Sequence, residues 1–291
     1  MGTIEKQSVL VLGSGGQLGR CLQDVLKETT RFDYIFKTSR EVDITDKAAV
    51  EACFAIYQPV YCINAAAYTA VDKAEEEKEQ AYAVNKQGLA NIAESCKKHK
   101  SICIHISTDF VFQGNRERPL GEEDEVQPIN VYGASKLAGE EALKENWKKH
   151  IIIRTSWLFS EYETNFLKTM AKLAQQEKAI NVVNDQIGTP TYAGDLAILI
   201  DKMITEPIPF GIYHFSNEGV ASWYDFAYEV FKFYGKQDSL HPIPATEYPT
   251  AAKRPAFTVL NKQKLKQSIE IAIPHWKESV QKCLEKLKAT K

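Results

Sequence analysis

The stretch Ser8-Val9-Leu10-Val11-Leu12-Gly13-Ser14-Gly15-Gly16-Gln17-Leu18-Gly19 sets the reading of the whole chain. A short apolar run stops at a glycine, and an amphipathic pattern begins at about Gln17. This is the pattern of a buried strand, a tight turn and a helix. Gly13, Gly16 and Gly19 have Gly-x-x-Gly-x-x-Gly spacing. Glycine lets the backbone turn sharply and lets a pyrophosphate approach the helix N-terminus. The usual dinucleotide fingerprint, Gly-x-Gly-x-x-Gly, has a first gap one residue shorter. An ordinary glycine-rich loop has the same composition. The position between an N-terminal strand and a helix favours a cofactor site.

The alternation continues outward from this turn. Residues 34–38 read as a second strand, and Asp46 as the cap of a helix ending near Tyr57. Pro59 separates that helix from a third strand at Tyr61–Asn64. One long helix is expected over 75–98, a fourth strand over 102–107 and a fifth over 151–156. Continuous apolar strands alternating with helices predict an α/β fold: a Rossmann-type, doubly wound parallel sheet with helices on both faces. After about Trp157 the pattern loosens, and Pro207, Pro209, Pro242, Pro244, Pro249 and Pro255 punctuate it. Helices are expected over 165–177, 195–204 and 223–234, with short strands at Ile180–Val183 and 212–215. The expected division is a nucleotide-binding domain over 1–160, taking later sheet elements from about 190–215, and a smaller C-terminal substrate-binding lobe over 161–291.

The chain has 291 residues, 44% of them hydrophobic, which is enough for a substantial folded core. A net charge of −2 gives no electrostatic case for nucleic acid or anionic membranes. No apolar run reaches the roughly 20 residues needed to span a bilayer. The N-terminus shows no long apolar leader, and Lys6 breaks an acylation motif at Gly2. The cysteines at 21, 53, 62, 96, 103 and 283 form no Cys-x-x-Cys pair and read as reduced core thiols. A reducing cytoplasm is the expected compartment. The run 75–79 is acidic and reads as a solvated helix face.

Three further patterns carry chemistry. Tyr132 and Lys136 stand four apart, so on a helix they share one face. A cation beside a phenol favours the phenolate, and the pair has the parts of a general acid/base. Ser107-Thr108-Asp109 follows the fourth strand, and the Thr108 hydroxyl can hold a substrate carbonyl. A turn-forming Ser/Thr/Asp cluster is its plainer reading. The second strand ends in Thr38-Ser39-Arg40, where an acidic residue would bind the 2′-hydroxyl of NAD. Arg40 can pair with a 2′-phosphate and Ser39 can donate to it, which favours NADPH. Glu41 and Asp43 keep NADH open, and Asp43-Ile44 could lie beside the adenine. Small side chains at Ala66 and Ala67, after the third strand, permit close approach of a cofactor. The histidines at 99, 105, 150, 214, 241 and 275 lack ligand-like spacing, so no metal is expected, and His105 reads as structural.

In this order these pieces resemble the extended short-chain dehydrogenase/reductase family. In detail the chain resembles the dTDP-4-dehydrorhamnose reductases. The resemblance rests on Asn64-Ala65-Ala66-Ala67-Tyr68-Thr69-Ala70-Val71-Asp72-Lys73-Ala74-Glu75, residues 107–112, Asn130-Val131-Tyr132-Gly133, Lys136-Leu137-Ala138-Gly139-Glu140 and Arg154-Thr155-Ser156-Trp157. Residues 184–191, Gly211-Ile212-Tyr213-His214 and Arg254-Pro255 extend it through the second lobe. The resemblance implies NAD(P)H reduction of the C4 ketone of dTDP-4-dehydro-β-L-rhamnose. It implies that Tyr132 protonates the developing alkoxide, that Lys136 lowers the tyrosine pKa and holds the nicotinamide ribose, and that Thr108 meets the carbonyl oxygen with Asp109 close by. Gly16, Gln17 and Leu18 would meet the pyrophosphate. Ala66, Ala67, Tyr68 and Ile106 would flank the cofactor, and Trp157 the sugar. Lys253-Arg254 is the candidate for the substrate's two phosphates, with Gln186 and Asp185 near its base or sugar.

Two rivals stay open. One is an epimerase or dehydratase of the same family, which would keep its NAD bound through the cycle. The other is a non-catalytic NADP-binding regulatory subunit on the same fold, which need not keep Thr108, Tyr132 and Lys136. The oligomeric state is open, with a homodimer among the alternatives.

Overall fold

The computed structural model describes residues 6–27, 29, 31–176 and 178–289. Residues 1–5, read above for a leader or acyl site, lie outside the described residues, as does Glu177 at the end of one expected helix. The first half runs β1 (Ser8–Leu12), α1 (Gln17–Leu26), β2 (Asp33–Lys37), α2 (Lys47–Tyr57), β3 (Tyr61–Asn64), α3 (Lys78–Tyr82), α4 (Leu89–His99), β4 (Ile102–Thr108), α5 (Val131–Asn146) and β5 (His150–Thr155). The second half runs β6 (Leu158–Phe159), α6 (Phe166–Ala174), β7 (Ile180–Val183), β8 (Ile187–Gly188), β9 (Thr191–Tyr192), α7 (Ala193–Thr205), β10 (Gly211–His214), β11 (Ala221–Ser222), α8 (Trp223–Phe233), β12 (Leu240–Ile243), α9 (Gln263–Ser268) and α10 (Trp276–Ala289).

Six strands form one parallel sheet in the order β10-β5-β4-β3-β1-β2. Their side chains alternate between two cores. Val9, Val11, Ile63, Ile104, Ile151 and Ile153 face α1 and α7, against Leu18, Leu22, Leu196 and Ile200. Leu10, Leu12, Cys62, Cys103 and Ile152 face the other way, against Val50, Phe54, Leu89, Ile92 and Leu143. Period-two alternation with both faces apolar is what a sheet covered on both sides requires. Each such aliphatic side chain contributes about 1.5–3 kcal/mol on full burial. A separate apolar core holds Phe159, Leu167, Met170, Phe226, Val230, Trp276, Val280 and Leu284. It lies among α6, α8 and α10, with the parallel pair β7–β12 beside it.

The single helix expected over 75–98 is divided. Residues Lys73–Glu75 make a separate short turn, and α3 begins only at Lys78. Between α3 and α4 the segment Ala83–Gly88 opens into a wider, π-helical turn. Asn85 explains it. Its amide accepts from Tyr68 N–H at 2.9 Å and donates to Tyr68 O at 3.1 Å and to Ser135 Oγ at 2.9 Å. An inward amide serving backbone outside its own helix disturbs the regular ladder, and such bulges gather at functional sites.

Candidate active site

The glycine turn has the shape a nucleotide site needs. Gly13 adopts φ +79°, and a Cβ there would meet Ala66 N at 2.4 Å. Only glycine permits both the left-handed backbone and this close approach of the β1 and β3 ends. The first turn of α1 starts at Gly16 with no side-chain cap, leaving its N–H groups for an anion. The Gln17 side chain is turned away, accepting from Ser160 Oγ at 3.0 Å and Asn165 Nδ2 at 2.9 Å. Leu18 and Gly19 are buried, and Cys21 and Leu22 continue the face that anchors this helix.

At the end of β2, Ser39 and Arg40 are exposed. Glu41, which kept a 2′-hydroxyl partner open, folds back. Its carboxylate accepts from Thr38 N–H at 2.8 Å and Thr38 Oγ1 at 2.7 Å. Asp43 is exposed and binds Thr45 through N–H and hydroxyl. Ile44, by contrast, is in the core at 5% exposure, so Asp43 is the member of that pair presented outward.

The end of β4 and the start of α5 form the chemical centre. Asn130 caps α5 by accepting from Gly133 N–H at 2.8 Å, and a Cβ on Gly133 would strike Phe110 O at 2.2 Å. The helix N-terminus is thus pressed onto the Thr108 turn. Tyr132 meets Phe110 edge-to-face, with ring centroids 5.8 Å apart. Desolvation pushes the Tyr132 phenol up to about 12, the Thr108 hydroxyl pulls it down and Asp109 pushes it up. The depression expected from the four-residue spacing to Lys136 is not among the effects at this hydroxyl, where desolvation dominates. Lys136 is buried, donates to Ile106 O at 2.7 Å and lies 3.3 Å from His105 Nε2. Burial lowers its ammonium to about 8, opposed by Glu140.

Asp109 is 2% exposed, and its Oδ2 has no hydrogen-bond partner among the described residues. Burial pushes its carboxyl up to about 7, against the hydroxyls of Thr258 and Thr108. The native state therefore holds a proton between about pH 4 and 7 that the unfolded chain releases, so this group's penalty is full above about pH 7 and fades as pH falls. Against Asp109→Asn, the wild type is expected to gain on the order of 2–4 kcal/mol in relative stability between pH 8 and pH 4. Urea denaturation at both pH values checks this, and parallel curves would contradict it.

The remaining residues sit on other elements. Trp157 has φ 47° and stacks on Trp223, centroids 3.7 Å apart. Gln186 is half-buried, and Asp185 ties its segment to the loop after β12 by accepting from Ala245 N–H at 2.9 Å. Arg254 is in a two-bond ion pair with Asp72, at 2.6 and 3.0 Å, and Asp72 also accepts from Ala252 N–H. Arg254 is thus held by a carboxylate across the molecule rather than solvated in an open basic loop. Residues missed from the sequence include Glu140, which binds Arg154 and accepts from Ser107 Oγ at 2.5 Å, and Asn64, which contacts His105. Glu140 follows Lys136 by four residues within a family-like segment, the signals available for it. No cluster of three or more His, Cys, Asp or Glu among the described residues has the makings of a metal site.

Against known proteins, the family model described as the RmlD substrate binding domain matches residues 7–289. The chain belongs to this family. A dTDP-4-dehydrorhamnose reductase of Aggregatibacter actinomycetemcomitans is 42% identical, over 94% of this chain and 96% of that protein. The dTDP-4-dehydrorhamnose reductase of Escherichia coli K12 is 38% identical over 97% and 99%. A crystal structure of dTDP-4-dehydrorhamnose reductase from Bacillus anthracis in complex with NADP superposes with a TM-score of 0.92. It is 37% identical and covers 97% of this chain and 99% of that one. Membership in the RmlD family thus spans both the sheet and the irregular second half, and the chain has the Rossmann-type α/β fold.

Proposed function

We infer that this chain is an NADPH-dependent dTDP-4-dehydrorhamnose reductase, converting the C4 ketone of dTDP-4-dehydro-β-L-rhamnose to the alcohol of dTDP-β-L-rhamnose. The observation that carries the reading is the Tyr132 hydroxyl facing Thr108, with Lys136 one turn along the same helix, in a chain matched over nearly its full length by reductases of this activity. The presence of all three supports an enzyme over a non-catalytic subunit. Fold alone argues for neither. All six cysteines are free and buried, as a reducing compartment requires, and the cytoplasm is the proposed place of action. No helix among the described residues is long and apolar enough to cross a membrane.

A bound reduced nicotinamide supplies the hydride. The proposed holders are the α1 N-terminus at Gly16, Gln17 and Leu18, the Gly13–Ala66 contact with Ala67 and Tyr68, and the strand end at Ile106. Tyr132 then delivers a proton to the oxygen that gains charge. A phenol near 12 is fully protonated at neutral pH, the state a reduction needs. Thr108 orients the same oxygen by hydrogen bonding, and Asp109 lies behind it. Trp157 and Gln186 are proposed on the sugar and base side. Arg254, braced by Asp72 with its side chain 22% exposed, is proposed at the diphosphate.

Two binding experiments test this. dTDP-rhamnose with NADP is expected to raise the melting temperature, since a ligand at a hundredfold its Kd adds about 2.7 kcal/mol. No protection by dTDP-rhamnose would count against the substrate. Arg40→Ala is expected to weaken NADPH about tenfold or more and to spare NADH, because a charge-assisted hydrogen bond contributes roughly 1.5–3 kcal/mol. Equal losses for both cofactors would remove Arg40 from 2′-phosphate recognition.

A further inference from the structure

Behind Lys136 lies a buried chain that the proposed chemistry leaves unused. Asn64, His105 and Lys136 are each no more than 2% exposed. Asn64 Oδ1 accepts from Ala66 N–H at 3.1 Å, which fixes the amide's orientation. Its Nδ2 therefore faces His105 Nδ1, at 3.1 Å. An amide nitrogen only donates, so Nδ1 must be the bare, accepting nitrogen of the ring. Burial, with Lys136 beside it, holds the imidazole pKa well below its ordinary value, so the ring is neutral. A neutral imidazole with a bare Nδ1 carries its proton on Nε2, and Nε2 points at Lys136 Nζ from 3.3 Å.

Donor then faces donor if Lys136 is an ammonium. The conflict disappears in the amine form, whose lone pair accepts from Nε2–H while an N–H still donates to Ile106 O. We propose that His105 is a positioning residue that sets the charge of Lys136, with Asn64 holding it in the tautomer that presents Nε2–H, rather than a lone pair, to Nζ. Besides His105 and the Ile106 carbonyl of β4, the charged group that acts on Nζ is Glu140, one turn after it on the same helix and paired with Arg154 of β5. Glu140 favours the ammonium and burial opposes it. His105 adds its weight to the amine, so Lys136 loses its proton close to working pH, and turnover is expected to fall on the alkaline side as it does.

The first test needs no activity. In protein labelled with ¹⁵N-histidine, ring-nitrogen shifts report the tautomer directly, and the resonances lost in His105→Phe assign the ring. The expected result is a bare Nδ1 and a protonated Nε2 near neutral pH. A protonated Nδ1 with a bare Nε2 overturns the proposal. The second test uses Asn64→Asp, whose carboxylate can accept both Ala66 N–H and Nδ1–H and so reverse the tautomer. Nε2 then accepts from the ammonium. With NADPH and dTDP-4-dehydrorhamnose, the alkaline limb of the kcat profile is expected to move up by about one pH unit, a tenfold gain in the protonated fraction. A reversed tautomer with an unmoved limb also overturns it. This second arm rests on the reductase reading. The ¹⁵N result stands apart from it, so failure of one is distinguishable from failure of the other.

Discussion

Tyr132→Phe is expected to cut turnover by about 10²–10⁴-fold, the range for removing a general acid. The phenylalanine ring keeps the edge-to-face contact with Phe110 and the packing of the α5 N-terminus, so the fold and NADPH affinity are expected to persist. Only the hydroxyl facing Thr108 and Asp109 is lost. The loss is expected in kcat and kcat/KM alike, because the proton is donated in the transition state. Steady-state kinetics beside NADPH titration separates the two. Near-normal turnover in this variant would exclude Tyr132 as the proton donor.

The second large effect is on stability. Arg154 and Glu140 form an ion pair of three hydrogen bonds, at 2.7, 3.0 and 3.3 Å, with side chains 2% and 0% exposed. The pair joins β5 to α5, and Ser107 on β4 donates to the same carboxylate, directly beside Arg154 in the sheet register. Arg154→Met fills the volume with an apolar chain and strands the Glu140 charge. Breaking one side of a buried pair costs about 3–5 kcal/mol, even where replacing both partners would be nearly neutral. Urea denaturation at neutral pH is the measurement, and a loss below about 0.5 kcal/mol, the size of ordinary surface changes, would contradict it. Because Ser107 precedes Thr108, part of the activity is expected to go with the stability.

Local patterns made the sheet legible. Apolar runs at β1, β3, β4 and β5 and the cap at Asp46 are written in adjacent residues, and they appear where expected. The Tyr132–Lys136 spacing likewise fixes a shared helix face. Long-range packing was out of reach. No local signal tells that Arg254 meets Asp72, 182 positions away, or that Asn85 turns inward to bind Tyr68 and breaks the long helix. The dominance of desolvation at the Tyr132 hydroxyl was out of reach for the same reason. Desolvation depends on everything folded around the hydroxyl, whereas the lysine four residues on is visible in the sequence. Arg154 and Glu140 stood within family-like segments, yet their pairing across α5 and β5 required the fold.

The most direct measurement is consumption of NADPH by the purified chain, supplied with dTDP-4-dehydrorhamnose by the upstream epimerase in the same vessel. Loss of the reduced-nicotinamide absorbance is expected to match dTDP-rhamnose formed, mole for mole, and to stop in Tyr132→Phe. No oxidation of NADPH or NADH, with the keto-sugar shown to be present, would contradict the assignment of this site to C4-ketone reduction.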